Sequence, residues 1–191
     1  HELRTPLTLI LGPLEDMQKD TSLPTRQAQK LSVIHLSALR LLNLINQILE
    51  FRKTETQNKK LCVCKGNIVP LIHEIGLKYK ELNQKKAIDF QIQIEKEEMP
   101  LFFDKEIITI ILDNLISNAI KYTEQGKITL SLYPTTRNGV TYTEIKVSDT
   151  GYGISAEALP HVFDRYYQES GKHQASGTGI GLALVLSLIH I

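Results

Sequence analysis

His1-Glu2-Leu3-Arg4-Thr5-Pro6 puts an imidazole, a carboxylate and a hydroxyl within little more than one helical turn. Near neutral pH an exposed imidazole is mostly neutral and carries one lone-pair nitrogen, so His1 is a candidate nucleophile toward phosphorus. Glu2 beside it can hold or remove the proton on the other ring nitrogen. Thr5 shares the His1 face of a helix, and its hydroxyl could orient a water for the reverse reaction. Pro6 has no N–H, which deprives the Glu2 carbonyl of its helical partner and lets the helix bend.

Three later runs carry a different chemistry. Asn114, Asn118 and Lys121 recur on one face of an expected helix, beside apolar Leu115, Ile116 and Ile120. An amide oxygen is a hard ligand suited to Mg²⁺, and an ammonium group suits phosphate oxygens. Asp149 precedes Gly151 and Gly153. A carboxylate only accepts hydrogen bonds, so it selects a base edge that offers N–H donors, as the adenine amino group does. Glycines let backbone close on a flat ring. Gly177-Thr178-Gly179-Ile180-Gly181-Leu182 leads into a helix whose first amides form an anion site. It is neither a P-loop nor a dinucleotide turn, because no Gly-Lys-Ser/Thr follows and no strand runs directly into it.

The elements that must position these groups follow from periodicity. Leu3, Leu7, Ile10, Leu14 and Met17 step along a heptad seam, and so do Leu31, Ile34, Ala38, Leu41, Ile45 and Ile48. The polar turn at residues 20–25 contains Pro24, so the two helices form an antiparallel hairpin. Leu39, Leu42 and Leu49 widen the second stripe beyond what two helices bury, which favours a dimeric four-helix bundle. After a polar linker, Leu61–Cys64, Ile88–Ile94 and Pro100–Phe103 are expected strands. Ile68–Leu82 is an expected helix, and Asp104 is the expected N-cap of another reaching Tyr122. Lys127–Tyr133 and Thr141–Ser148 should pair as a hairpin about Asn138-Gly139, and a last helix should begin at Gly179. These elements make an α/β sandwich, with helices on one face of a mixed sheet.

Bulk properties narrow the classes. The chain has 191 residues, 42% hydrophobic and 23% charged, with a formal net charge of +1. That balance gives no reason to expect nucleic-acid or membrane-surface binding. No continuous apolar run reaches the ~20 residues that span a bilayer. Cys62 and Cys64 are expected to be ordinary reduced thiols, since a lone Cys-x-Cys is a poor metal site. A chain that opens on the motif histidine without an initiator Met reads as a fragment.

Taken in order, the four runs closely resemble the H-, N-, G1- and G2-boxes of two-component sensor histidine kinases. The resemblance covers almost the whole chain. It implies a dimerisation and histidine-phosphotransfer domain over residues 1–55, a linker at 56–60 and an ATP-binding catalytic domain over 61–191. That catalytic domain resembles the histidine-kinase and Hsp90-like ATPases, and it would be truncated at its C-terminal end, where family members add two further strands. The resemblance makes His1 the phosphorylated residue, Glu2 its general base and Thr5 a helper in dephosphorylating a response regulator. It makes Asn118 the Mg²⁺ ligand, with Asn114, Lys121 and Tyr122 along the phosphates and sugar of ATP. Asp149 would read adenine, with Gly151, Gly153 and Ile154 beside it, and Gly177, Thr178, Gly179, Gly181 and Leu182 would complete the pocket. Phe163-Asp164-Arg165-Tyr166-Tyr167 resembles the F-box of a mobile lid. The implied partners are a second copy of the chain and a receiver domain, separate or fused as in hybrid membrane-bound sensors. The fragment itself is expected to lie on the cytoplasmic side, off the membrane. Chaperone, gyrase and mismatch-repair ATPases share the nucleotide pattern, but the hairpin with His-Glu-x-x-Thr argues against them.

Overall fold

A computed structural model describes residues 4–19, 23–55, 60–83, 87–169 and 178–190. The chain divides into two compact units, His1–Thr56 and Gln57–Ile191.

The first unit is helical: α1 spans Arg4–Gln18 and α2 spans Thr25–Glu55. The two pack together along one seam. On α1 that seam is Leu7, Leu11 and half-buried Leu14; on α2 it is Ala28, Leu31, His35, Ala38, Leu42 and Ile45. The spacing alternates three and four residues, as a helix–helix contact requires. His35 lies in this seam with its Nε2 3.6 Å from Glu15 Oε1. Several expected seam residues face outward instead. Ile10 and Met17 are 49% and 48% exposed, and Ile34, Leu41 and Ile48 are 51%, 47% and 41% exposed. The reason is that two helices bury only one stripe, so the wider apolar surface of α2 is left uncovered within a single hairpin. The stretch Thr25–Arg52 is also long and apolar enough to cross a membrane by length and composition, at a mean hydropathy of 1.2. The expectation that no such stretch exists rested on uninterrupted apolar runs, and an amphipathic helix passes an averaged test without one.

The second unit runs β1 (Cys64–Asn67), α3 (Val69–Leu82), β2 (Ile88–Ile94), β3 (Pro100–Phe103), α4 (Lys105–Tyr122), β4 (Gly126–Arg137), β5 (Val140–Asp149), a 3₁₀ turn at Leu159–His161 and α5 (Gly181–Ile189). The described strands form two sheets. One has the order β2-β4-β5, with β2 parallel to β4 and β5 antiparallel to it; β1 and β3 make a separate antiparallel pair. Alternation along β2 sends Ile88 and Phe90 inward, where they meet Ile72 and Ile75 of α3, Leu112 and Ile116 of α4, and Ile128, Leu130 and Leu132 of β4. This core fixes α4 against the sheet.

Local chemistry sets the ends of these elements. Asp104 caps α4, its Oδ1 accepting from the Ile107 N–H at 3.1 Å. Its Oδ2 accepts from the Cys62 N–H at 2.7 Å, so the same carboxylate anchors the segment before β1. That backbone is therefore engaged outside any ladder, and β1 starts at Cys64 rather than at Leu61. Asn138 (φ 52) and Gly139 (φ 78) both take the left-handed conformation that a two-residue hairpin turn between β4 and β5 demands. α5 begins at Gly181, two residues later than expected, because Gly179 is itself left-handed (φ +65) and cannot be helical. Both cysteines are exposed and free.

Candidate active site

α4 carries the amides. Asn114 is buried and its Nδ2 donates to the Ile110 carbonyl at 2.8 Å, which holds Oδ1 toward the start of α5. A Cβ on Gly181 would lie 2.9 Å from that oxygen, so the two elements touch where Gly181 has no side chain. Asn118 and Lys121 follow on the same face, both half-buried. The Lys121 Nζ lies 4.6 Å from the centre of the Tyr122 ring and 3.0 Å from its hydroxyl.

Asp149 ends β5 with its side chain exposed, and its Oδ1 accepts from the Gly151 N–H at 2.9 Å. The loop beyond it is seated on the end of α4. The Tyr122 carbonyl accepts from the Tyr152 N–H at 3.2 Å. A Cβ on Gly151 would fall 2.3 Å from that same carbonyl oxygen, so only glycine lets the loop lie there. Thr150 pins the other side: its Oγ1 accepts from the Lys127 N–H at 2.9 Å, and its own N–H donates to the Lys127 carbonyl at 3.1 Å. The Tyr152 phenol donates to Glu124, which raises its pKa. Gly153 is left-handed (φ +73), and Ile154 is exposed.

The turn before α5 is closed by Thr178, whose Oγ1 accepts from the Ile180 N–H at 3.2 Å. The Gly179 carbonyl accepts from the Tyr166 N–H at 2.8 Å, which brings the Phe163–Tyr167 segment onto the glycine turn. Leu182 is half-buried in the first turn of α5. The structure thus brings Asn114, Tyr122, Asp149, Gly151, Gly179 and Gly181 into one set of touching elements. His1, Glu2 and Gly177 lie outside the described residues, as does the side chain of Thr5.

Chemically this is an exposed carboxylate acceptor on a glycine-bearing loop, seated at the end of a helix whose face bears two amides and a lysine and which touches the N-terminus of α5. It suits a flat base with an amino edge and a chain of phosphates. No group of three or more His, Cys, Asp or Glu able to hold a metal exists among the described residues. A divalent cation here would therefore draw most of its ligands from phosphate and water, with Asn118 as the protein's contribution, which is the usual habit of Mg²⁺.

Sequence reasoning did not single out Thr123 or Thr150, and it placed Tyr166 in the lid segment without foreseeing its backbone conformation. Thr123 directly follows the Asn114–Tyr122 run, and Thr150 sits between Asp149 and Gly151, so adjacency was the available signal. The left-handed conformation of Tyr166 (φ 63) had none.

Two family models match the chain: "His Kinase A (phospho-acceptor) domain" over residues 1–57 and "Histidine kinase-, DNA gyrase B-, and HSP90-like ATPase" over residues 103–190. The histidine kinase P4 of Formosa agariphila is 34% identical over all of this chain and 14% of its own length. The aerobic respiration control sensor protein ArcB homolog of Haemophilus influenzae is 35% identical over all of this chain and 58% of its own length. Full-length ShkA, solved in complex with AMPPNP, has a TM-score of 0.77 at 26% identity, covering 98% of this chain and 38% of that one. The chain spans between 12% and 60% of the length of the first curated relatives it matches. With a phosphoacceptor hairpin and an ATPase-like α/β unit joined in this order, the chain belongs to the sensor histidine kinases and comprises the core of one.

Proposed function

We propose that this core binds ATP with Mg²⁺, phosphorylates its own His1 and passes the phosphoryl group to an aspartate of a receiver domain. The observation that carries the reading is the seating of the Asp149 loop on the end of α4, which sets an acceptor for the adenine amino group beside the amide-bearing helix. Asp149 accepts from that amino group. Gly151, Gly153 and Ile154 flank the base, and Asn114, Lys121 and Tyr122 line the phosphates and sugar. Thr178, Gly179, Gly181 and Leu182, with Gly177, close the phosphate end. Asn118 would hold Mg²⁺, which would offset the negative charge of the phosphates.

The His1 lone pair then attacks the terminal phosphorus, the P–O bond to the nucleotide breaks, and its oxygen leaves on ADP. Glu2 takes the proton from the other ring nitrogen. Thr5 serves the reverse reaction by orienting water at the phosphorylated regulator. In this reading residues 1–55 are the dimerisation and phosphotransfer domain, 56–60 the linker and 61–191 the catalytic domain. The outward stripe of Ile34, Leu41 and Ile48, spaced by sevens, supports a homodimer through the hairpin. The likeness to the hybrid signal transduction histidine kinase D of Dictyostelium discoideum supports a sensor of hybrid type, and this core would stand on the cytoplasmic side of a membrane-bound parent.

The test is incubation with ATP and Mg²⁺. Acid-labile label on the chain that disappears in His1→Gln supports the proposal. Label retained in that variant rejects it.

A further inference from the structure

Cys62 and Cys64 are the chain's two cysteines, and both are exposed and free. Cys64 opens β1 opposite Phe103 of β3, and Cys62 lies two residues upstream in the run that enters the strand. Residues two apart in an extended run send their side chains to the same face. At about 3.3 Å per residue, their Cα atoms stand about 6.6 Å apart. That is the long end of the range of about 4.4–6.8 Å over which a disulfide closes. A bridge at this limit draws the segment in, and strain of that kind makes it easy to reduce again. The Cys62 Sγ lies 4.0 Å from the Lys60 carbonyl oxygen, an exposed contact that rotation about χ1 gives up at little cost.

Contraction of this segment reaches the catalytic unit. The Cys62 N–H donates to Asp104 Oδ2 at 2.7 Å. Asp104 Oδ1 accepts from the Ile107 N–H at 3.1 Å and caps α4. One carboxylate thus holds both the run before β1 and the start of the helix that carries Asn114, Asn118 and Lys121. Drawing Cys62 toward Cys64 displaces the amide and takes a hydrogen bond from the capping carboxylate.

We propose that Cys62 and Cys64 form a reversible thiol–disulfide switch, oxidised by hydroperoxides, whose closing loosens the cap of α4. The sulfur of one thiolate attacks the peroxide and the O–O bond breaks, which leaves a sulfenic acid on the chain and releases water or an alcohol. The second thiol attacks the sulfenic sulfur. The S–S bond forms, the S–O bond breaks, and the hydroxide leaves as water with the thiol proton. Two electrons and two protons pass from the thiols to the peroxide. The switch stands whether or not the pocket takes ATP.

The test treats the whole chain, reduced and freed of reductant, with hydrogen peroxide, and follows intact mass, free thiols and thermal melting without nucleotide. Expected is a loss of about 2 Da within a single chain, with both thiols gone. In a chain with two cysteines that change has one source, the Cys62–Cys64 bridge. Dithiothreitol should restore the mass and both thiols. Cys62→Ser, Cys64→Ser and wild type alkylated before treatment should show no such loss. The bridged chain should melt a few degrees below the reduced one, reduction should reverse the shift, and peroxide should leave the melting of both serine variants where it was. Sulfinic acid without a bridge, or bridges between chains alone, overturns the proposal. A bridge within the chain that leaves the melting temperature unchanged also overturns it, because the cap of α4 would then not respond.

Discussion

Gly179 cannot carry a side chain without breaking the contact between the glycine turn and the Tyr166 segment. Its φ of +65 costs an alanine about 1–2 kcal/mol. The new Cβ would also fall 2.5 Å and 2.6 Å from the Tyr166 C and Cα, which are backbone atoms that cannot rotate away. Relief requires the segments to part, with loss of the Tyr166 N–H to Gly179 hydrogen bond, worth about 0.5–1.5 kcal/mol. Together Gly179→Ala should disfavour this arrangement by about 2–3 kcal/mol, equivalent to a loss of roughly 30- to 150-fold in ATP affinity if the bound state uses it. Tyr166 is 70% exposed and belongs to no part of the core, so unfolding of the nucleotide-free chain in urea should move little. Gly139→Ala is the control. Its φ is +78, but nothing lies within 4 Å of the added Cβ, so it should cost about 1 kcal/mol of stability and leave binding alone. Fluorescent-nucleotide displacement by ATP reads the affinities. Affinity of Gly179→Ala within about twofold of wild type would refute the reasoning, because the bound state would then not need the two segments in contact.

Two more outcomes follow from packing on either unit. The Tyr79 hydroxyl donates to Asp113 Oδ1 at 2.9 Å, an oxygen that Lys78 Nζ also approaches at 3.1 Å. Burial first, then the charge and hydrogen bond of Asp113, hold the phenol's pKa well above its ordinary value of 10.0. The neutral phenol therefore contributes its full stability below pH 10.0 and loses it as the pH climbs toward the folded-state value. Tyr79→Phe should cost about 1 kcal/mol at neutral pH, and the gap should narrow in urea melts run above pH ~10; a gap constant with pH would contradict this. On the hairpin, Leu41→Glu puts a charge in the outward stripe, where each leucine or isoleucine fully buried would contribute about 1.5–3 kcal/mol. Sedimentation should show the variant shifted toward monomer with its helix content retained, and an unaltered dimer would move the interface elsewhere.

What the sequence revealed of the catalytic unit was what local chemistry dictates. Asp104 at the head of α4 is an N-cap because a carboxylate satisfies a free amide wherever a helix begins, and the structure places it there. Ile88–Ile94 alternates because one face of β2 is core, and Asn138-Gly139 turns because both residues accept a left-handed backbone. β1 escaped the same logic. Leu61–Cys64 has the more strand-like composition, yet the ladder with β3 runs from Cys64 to Asn67 through a glycine and an asparagine. Tertiary pairing overrode propensity there, with the Asp104 carboxylate taking the Cys62 amide and Asn67 Oδ1 taking the Val69 and Met99 amides at 3.2 Å and 3.0 Å. At the site, residue types were legible and contacts were not: nothing in a linear chain says that Gly151 must clear the Tyr122 carbonyl, or that Gly179 must clear Tyr166.

The hairpin shows a different limit, one of period rather than of distance. The stripe Ala28, Leu31, His35, Ala38, Leu42, Ile45 and the stripe Ile34, Leu41, Ile48 both obey a heptad, so periodicity finds both and ranks neither. Side-chain size misleads as well, since the bulkier stripe faces outward. The small Ala28 and Ala38 and the polar His35 sit in the seam with α1, where close approach favours small side chains and where Glu15 comes within 3.6 Å of the imidazole. The large aliphatic residues stay exposed in one chain because their surface exceeds what α1 can cover. A helix that keeps isoleucine and leucine at seven-residue intervals on its solvent side calls for a second apolar surface of the same period, and in the proposed homodimer another copy of this hairpin would supply one.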